Sequence, residues 1–174
     1  MSFDPEQDLV NSKEKMLVKF TVRLADEKAT EQLGETLAFT LAKGDLIALH
    51  GNLGIGKSIL ARAIIRTLAD NVSLDIPSPT FTLVQVYENL SLSVTHADLY
   101  RINTPEEVEE LGFDQALEDG LLIVEWPEKS GGLFENAQFT IFLEQNNTGR
   151  LATVKIDDNA FKRLKTLYRI CSLM

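Results

Sequence analysis

Gly51-Asn52-Leu53-Gly54-Ile55-Gly56-Lys57-Ser58 satisfies the phosphate-loop pattern G-x-x-x-x-G-K-[ST] at every fixed position. It is preceded by the apolar run Leu46-Ile47-Ala48-Leu49-His50 and followed by a helical pattern from Ile59 to Leu68. That is the strand–loop–helix setting in which the motif has physical meaning. The glycines allow the backbone to curl so that its N–H groups converge on an anion. The start of the following helix adds a favourable dipole for the same charge. Lys57 can then reach the β- and γ-phosphates of a nucleotide, and the Ser58 hydroxyl can coordinate Mg²⁺. A glycine-rich turn with no ligand is the bland alternative, and the flanking strand and helix argue against it.

Outward from the loop, Leu17 to Leu24 alternates apolar and polar residues as a half-buried strand does. Asp26 is placed to cap a helix from about residue 27 to 42, with Gly44 beyond its end. Pro77 and Pro79 force an extended loop around Ser78 and Thr80, after which a hairpin is expected over 81–88 and 92–97, turning at Asn89. Thr104-Pro105-Glu106-Glu107 is a capping box opening one helix through Val108, Leu111 and Leu117. Leu121 to Val124 is a short, wholly apolar strand suited to the middle of a covered sheet. Strands over 139–143 and 151–156 should pair antiparallel across Asn146 to Gly149, and a helix from about Asn159 to Ile170 closes the chain. The expected fold is α/β of the P-loop NTPase type, a mixed, mostly parallel sheet edged by antiparallel strands and flanked by helices. Residues 1–16 read as a flexible polar tail, and 17–174 as one P-loop ATPase domain.

The chain has 174 residues, 44% of them apolar, and a net charge of −9. No run is long and apolar enough to span a membrane, and the acidic N-terminus lacks the apolar core of a secretory signal. The single cysteine, Cys171, suits a small apolar position in a reducing cytoplasm. The acidity disfavours direct gripping of nucleic acid, which would be held by a partner. His50 and His96 have no ligand spacing to cysteine, so zinc is not expected.

Hydrolysis needs acids at other strand ends. Glu125 directly follows the apolar strand, in the Walker-B position, where a carboxylate can hold Mg²⁺ through water or orient an attacking water. Asp98 ends Ser93-Val94-Thr95-His96-Ala97 and can converge with Ser58 and Glu125 on one metal–phosphate centre. Either acid can equally cap the next turn. Thr80 can bond a γ-phosphate or its Mg²⁺ and so act as a switch, or serve only the turn. Trp126 is a core residue or a contact at the site's mouth, and Arg101 can pair with Asp98 or face a phosphate. The Asn-Lys-x-Asp pattern of guanine selection is absent, which favours ATP, and no protein-kinase set is present.

Four segments in order, G-N-L-G-I-G-K-S, S-P-T-F-T-L-V, H-A-D-L-Y-R and V-E-W-P-E, resemble the TsaE (YjeE) family from about Leu24 to Trp126, and more weakly to Gly149-Arg150. The resemblance implies a small ATPase that supports the TsaB–TsaD heterodimer in threonylcarbamoyladenosine modification of tRNA; with no arginine finger in its catalytic set, slow turnover by the chain alone is expected. Transferred by motif, Gly51, Asn52, Leu53, Gly54, Ile55, Gly56, Lys57 and Ser58 would bind ATP. Lys57, Thr80, Asp98 and Glu125 would be catalytic, with Ser58, Asp98 and Glu125 around Mg²⁺. Asp26 to Thr30, with Gly149-Arg150, would lie near the base. The tRNA would be met only through the partners. Asn52, Ser58 and Ile59 depart from the family's usual Asp, Thr and Thr. Two other classes remain on the same loop: a small-molecule kinase, which would want an arginine-rich lid, and a nucleotide-sensing interaction module, which would not need Glu125.

Overall fold

A computed structural model describes residues 9–10 and 17–171 of the chain. Along the sequence run β1 (Leu9–Val10), β2 (Leu17–Leu24), α1 (Glu27–Ala38), β3 (Leu46–Gly51), α2 (Lys57–Leu68), β4 (Val84–Tyr87) and β5 (Val94–Asp98). They are followed by α3 (Pro105–Glu109), α4 (Phe113–Asp119), β6 (Leu121–Glu125), a 3-10 turn (Pro127–Ser130), β7 (Phe139–Asn146), β8 (Gly149–Asp157) and α5 (Asp158–Cys171).

The strands form one mixed sheet in the order β1-β2-β8-β7-β3-β6-β5-β4. Its centre is parallel: β3 lies between β7 and β6, and β6 pairs parallel with β5. On one side β8 runs antiparallel to β7, β2 to β8 and β1 to β2, and on the other β4 folds back on β5. The antiparallel border is therefore wider than the sequence led us to expect. Part of the stretch read as a tail is also in the sheet, because Leu9 and Val10 pair with Val18 and Leu17. The rest of 1–16 lies outside the described residues.

Alternation along β3 explains why its run is apolar throughout. Ile47 and Leu49 belong to one core with Leu33 and Leu37 of α1 and Leu60 and Ile64 of α2. Leu46 and Ala48 belong to a second core with Val108, Phe113 and Phe134 on the opposite face. A strand covered on both faces has no solvent side to spend on polar residues. Leu121 to Val124 divides between the two cores in the same way.

The local expectations were met at most element starts and corrected at several ends. Helix α1 stops at Ala38 rather than near residue 42, because Thr40 turns its hydroxyl and its amide onto the Leu37 carbonyl, at 2.7 and 2.8 Å. The single helix expected after Thr104 is two. The capping box forms, but Gly112 takes a left-handed φ of 71° and starts α4 afresh. The β4–β5 hairpin begins at Val84, because Leu83 (φ 65°) bonds its amide to the Pro79 carbonyl and closes a turn over Phe81 and Thr82. The β7–β8 strands extend to Asn146 and Gly149, leaving only Asn147 and Thr148 as the loop.

Candidate functional site

The carboxyl ends of β3, β5 and β6 gather on one edge of the sheet, where the register sets Asp98 opposite Glu125. The chain after β3 curls through Asn52 to Gly56 and enters α2 at Lys57, two residues before the helix expected from periodicity. That earlier start matters: Lys57 and Ser58 occupy the first turn, which has Gly56 in front of it and no side-chain cap. The first-turn amides of a helix are unpaired within it and present a positive dipole end to whatever lies outside. Gly51 is obligatory where β3 ends. Its φ is 135°, and a Cβ there would stand 2.4 Å from the Leu143 carbonyl oxygen of β7.

Lys57 is 4% exposed, and its Nζ donates to the carbonyls of Gly51 (2.6 Å) and Asn52 (3.0 Å) while lying 3.8 Å above the Trp126 ring centre. Burial lowers its pKa from the ordinary lysine value, against the opposing pull of Glu125, Glu128 and Asp98. An ammonium buried against neutral carbonyls and a ring face is under-neutralised, which is the electrostatic condition that a phosphate relieves.

Two hydrogen-bonded groups flank it. Ser58 Oγ donates to Glu125 Oε2 at 3.0 Å, and His96 Nε2 lies 3.0 Å from Glu125 Oε1. Thr80 Oγ1 donates to Asp98 Oδ2 at 2.6 Å, and the Tyr100 amide donates to Oδ1 at 3.0 Å. Both acids are nearly buried, at 2% and 3% exposure. Trp126 follows Glu125 with a φ of 59°, so the chain turns sharply at the end of β6 and lays the indole between Lys57 and Tyr100, whose ring centre is 5.1 Å away. Leu53, Gly54, Gly56, Lys57, Ser58, Thr80, Asp98, Glu125 and Trp126 line one cleft of about 200 Å³.

The four residues expected to be catalytic thus converge, as do the three expected around a metal. Among the described residues, no group of three or more His, Cys, Asp or Glu side chains is arranged to hold a metal ion. Two carboxylates and a hydroxyl suit a hard cation that takes its remaining oxygens from phosphate and water. Arg101 neither pairs with Asp98 nor faces the cleft: its guanidinium sits 4.2 Å over the exposed Phe81 ring. Arg150 comes to the loop from β8. Its guanidinium would be 3.4 Å from a Cβ at Gly56, and its Nη1 is 3.4 Å from Thr30 Oγ1. The two segments expected near a base therefore meet beside the phosphate loop. Asp26 itself caps α1, accepting from the Ala29 amide at 2.8 Å.

Two cleft residues, Arg62 and Tyr100, and the buried His96 behind Glu125 escaped the sequence reading. Arg62, four residues past Ser58 on α2, lines the cleft and donates from Nε to the Ser58 carbonyl at 3.0 Å, a spacing the helical period could have exposed. Tyr100 and His96 gave no such signal, because their roles depend on which strands lie side by side.

A parallel-centred sheet with this glycine-rich strand–loop–helix is the P-loop NTPase fold. The solved structure of Bacillus subtilis YdiB shares it, with a TM-score of 0.68 and 24% identity, over 88% of this chain and 97% of that one. The family model for Threonylcarbamoyl adenosine biosynthesis protein TsaE matches residues 24–152. The chain belongs to the TsaE family, which functions in tRNA threonylcarbamoyladenosine biosynthesis. Among its relatives, tRNA threonylcarbamoyladenosine biosynthesis protein TsaE of Rickettsia typhi is 35% identical over 79% of this chain and 96% of its own length. The Rickettsia conorii protein of the same name is 38% identical over 75% of each. That of Rickettsia felis is 41% identical, but there the match spans only 61% of the relative. No helix among the described residues is long and apolar enough to cross a membrane.

Proposed function

We propose that this chain binds ATP with Mg²⁺ in the cleft, hydrolyses it slowly by itself, and thereby supports a TsaB–TsaD heterodimer in threonylcarbamoyladenosine modification of tRNA. One observation carries the nucleotide reading: the buried Lys57 ammonium, held by two neutral carbonyls at the start of an uncapped helix. Lys57 would turn from those carbonyls to the phosphates, while the amides of the loop and of the first turn of α2 hold the same anion. Ser58, Asp98 and Glu125 would hold the cation, which, when bound, neutralises phosphate charge and polarises the scissile bond. Glu125 orients a water or holds the metal through one, and Thr80 links Asp98 to the Pro77–Leu83 turn, so that nucleotide state can reach the surface. Arg150 and Thr30, which meet beside the loop, would lie near the base.

The partner and tRNA assignments rest on the family and on charge. A chain of net charge −9 is poorly suited to phosphate-backbone binding, so tRNA is met through TsaB–TsaD. A kinase lid finds no support in Arg101, which is committed to Phe81. The test is calorimetric titration of ATP with Mg²⁺, followed by phosphate release by the chain alone, with TsaB–TsaD, and with TsaB–TsaD and tRNA. Binding with slow turnover that the partners raise is the expected result. Rapid turnover indifferent to the partners would overturn the accessory role, and absence of binding would overturn the nucleotide reading.

A further inference from the structure

A histidine sealed inside a core usually has both ring nitrogens hydrogen-bonded, since a buried polar atom without a partner is costly. His96 departs from this. It is 0% exposed, Nδ1 has no hydrogen-bond partner, and Nε2 makes one contact, to Glu125 Oε1 at 3.0 Å. The fold tolerates an unpaired nitrogen for the sake of a single bond to the acid at the edge of the sheet. With a carboxylate oxygen as acceptor, Nε2 is the nitrogen that carries the hydrogen in this bond.

The register accounts for the reach. His96 is the partner of Ile123 and Asp98 is the partner of Glu125, so His96 sits two residues back on the face that Asp98 and Glu125 share. The two oxygens of Glu125 are then held from different bodies. Ser58, on Oε2, belongs to the phosphate loop and its helix, the part that must accommodate a nucleotide. His96, on Oε1, belongs to β5, which is buried along its whole length between β4 and β6. One hydrogen bond leaves a carboxylate free to swing about it, whereas two from opposite sides fix its plane. No competing partner on Nδ1 draws the ring away.

We propose that His96 is a positioning residue for Glu125: its Nε2–H on Oε1 fixes the carboxylate plane so that Oε2 faces Ser58 and the cleft. The inference rests on the reading that Glu125 serves ATP hydrolysis. It is tested with His96→Leu, which fills the space but cannot donate, and His96→Gln, whose amide can reach Oε1. Each is made in the wild-type chain and in Glu125→Gln. Phosphate release, calorimetric affinity for ATP with Mg²⁺, and thermal melting are read on the full chain, with TsaB–TsaD added where turnover alone is too slow.

His96→Leu should lower kcat about 10- to 100-fold, the scale of a group misplaced by an ångström, with affinity held within about threefold. His96→Gln should recover most of the loss. In Glu125→Gln, where there is no carboxylate left to orient, His96→Leu should cost less than about twofold more. Unchanged turnover in His96→Leu, beside a slow Glu125→Gln, would leave His96 as packing alone and overturn the proposal. So would parallel losses of melting temperature and affinity in both His96 variants without recovery by glutamine. Wild-type turnover in Glu125→Gln is a separate outcome, which removes the role assigned to the acid and the histidine's with it.

Discussion

Glu125→Gln separates the charge of the acid from its shape. Both carboxylate oxygens are occupied, Oε2 by Ser58 and Oε1 by His96, at 3.0 Å each. A glutamine can keep both contacts if its carbonyl takes the His96 side and its NH₂ meets the Ser58 oxygen, which accepts as readily as it donates. Two charge-assisted bonds become neutral ones, a loss of about 1 kcal/mol each, offset in part because a neutral amide is cheaper to bury than a carboxylate. The melting temperature should therefore fall by no more than about 2–4 °C for each kcal/mol of net loss. The charge itself cannot be replaced. Without it the side chain neither binds a cation strongly nor accepts a proton from water, and kcat should drop by about 10²- to 10⁴-fold, or about 2.7–5.4 kcal/mol of barrier. ATP affinity should stay near wild type, since on the proposed reading Lys57 and the loop amides would make the phosphate contacts. Phosphate release, calorimetry and a thermal melt on the same preparation read the three quantities. A kcat within about threefold of wild type, under about 0.7 kcal/mol, in a folded variant that binds ATP would refute the catalytic assignment and make Asp98→Asn the next variant to measure.

Lys57→Ala removes the ammonium but opens no apolar cavity, because its hydrogen bonds are to carbonyls of its own loop. ATP binding should become undetectable by calorimetry while circular dichroism is unchanged, and retained affinity would show that the loop is not the site. Gly51→Ala puts a Cβ 2.4 Å from the Leu143 carbonyl at a φ of 135°, so stability should fall by about 2–4 kcal/mol with the melting midpoint; a midpoint within a degree of wild type would show that β3 and β7 separate easily. Asp45 has a carboxyl pKa raised chiefly by burial, against the Ala42 amide and Arg163. A folded-state value above the unfolded one favours the protonated form in the native chain. That contribution is full below the unfolded pKa and is lost as pH rises through the folded one. Melting curves from acid upward should therefore show wild type losing ground to Asp45→Asn just above the ordinary aspartate range, and a difference that widens in favour of wild type there would reverse the sign.

The extent to which this site could be read in advance differs residue by residue. Gly51 to Ser58 announce themselves because a phosphate cradle is made by consecutive backbone, so its requirements are written consecutively. Glu125 and Asp98 were legible for a related reason: each stands at a strand end, that of Glu125 wholly apolar before it, and parallel strands must end together on one edge. The helix after Thr104 was misjudged, since its capping box is local while the break at Gly112 is a left-handed backbone conformation that the apolar spacing does not register. Arg101 was misjudged because its choice between an acid and an aromatic face depends on where the turn at Leu83 sets Phe81.

The order of residues alone therefore determined the phosphate-loop motif, the apolar strand before it, the helix after it, and the acids at the ends of other strands, because each depends on near neighbours in the chain. Only the tertiary structure decided which side chains share those acids. His96 meets Glu125 through the register of β5 on β6, Thr80 meets Asp98 through the fold-back of the proline loop, and Arg150 meets the phosphate loop from β8. These are contacts between residues 18 to 94 positions apart in the sequence. Their geometry is set by strand pairing and by turns, and no periodicity within a single element encodes it.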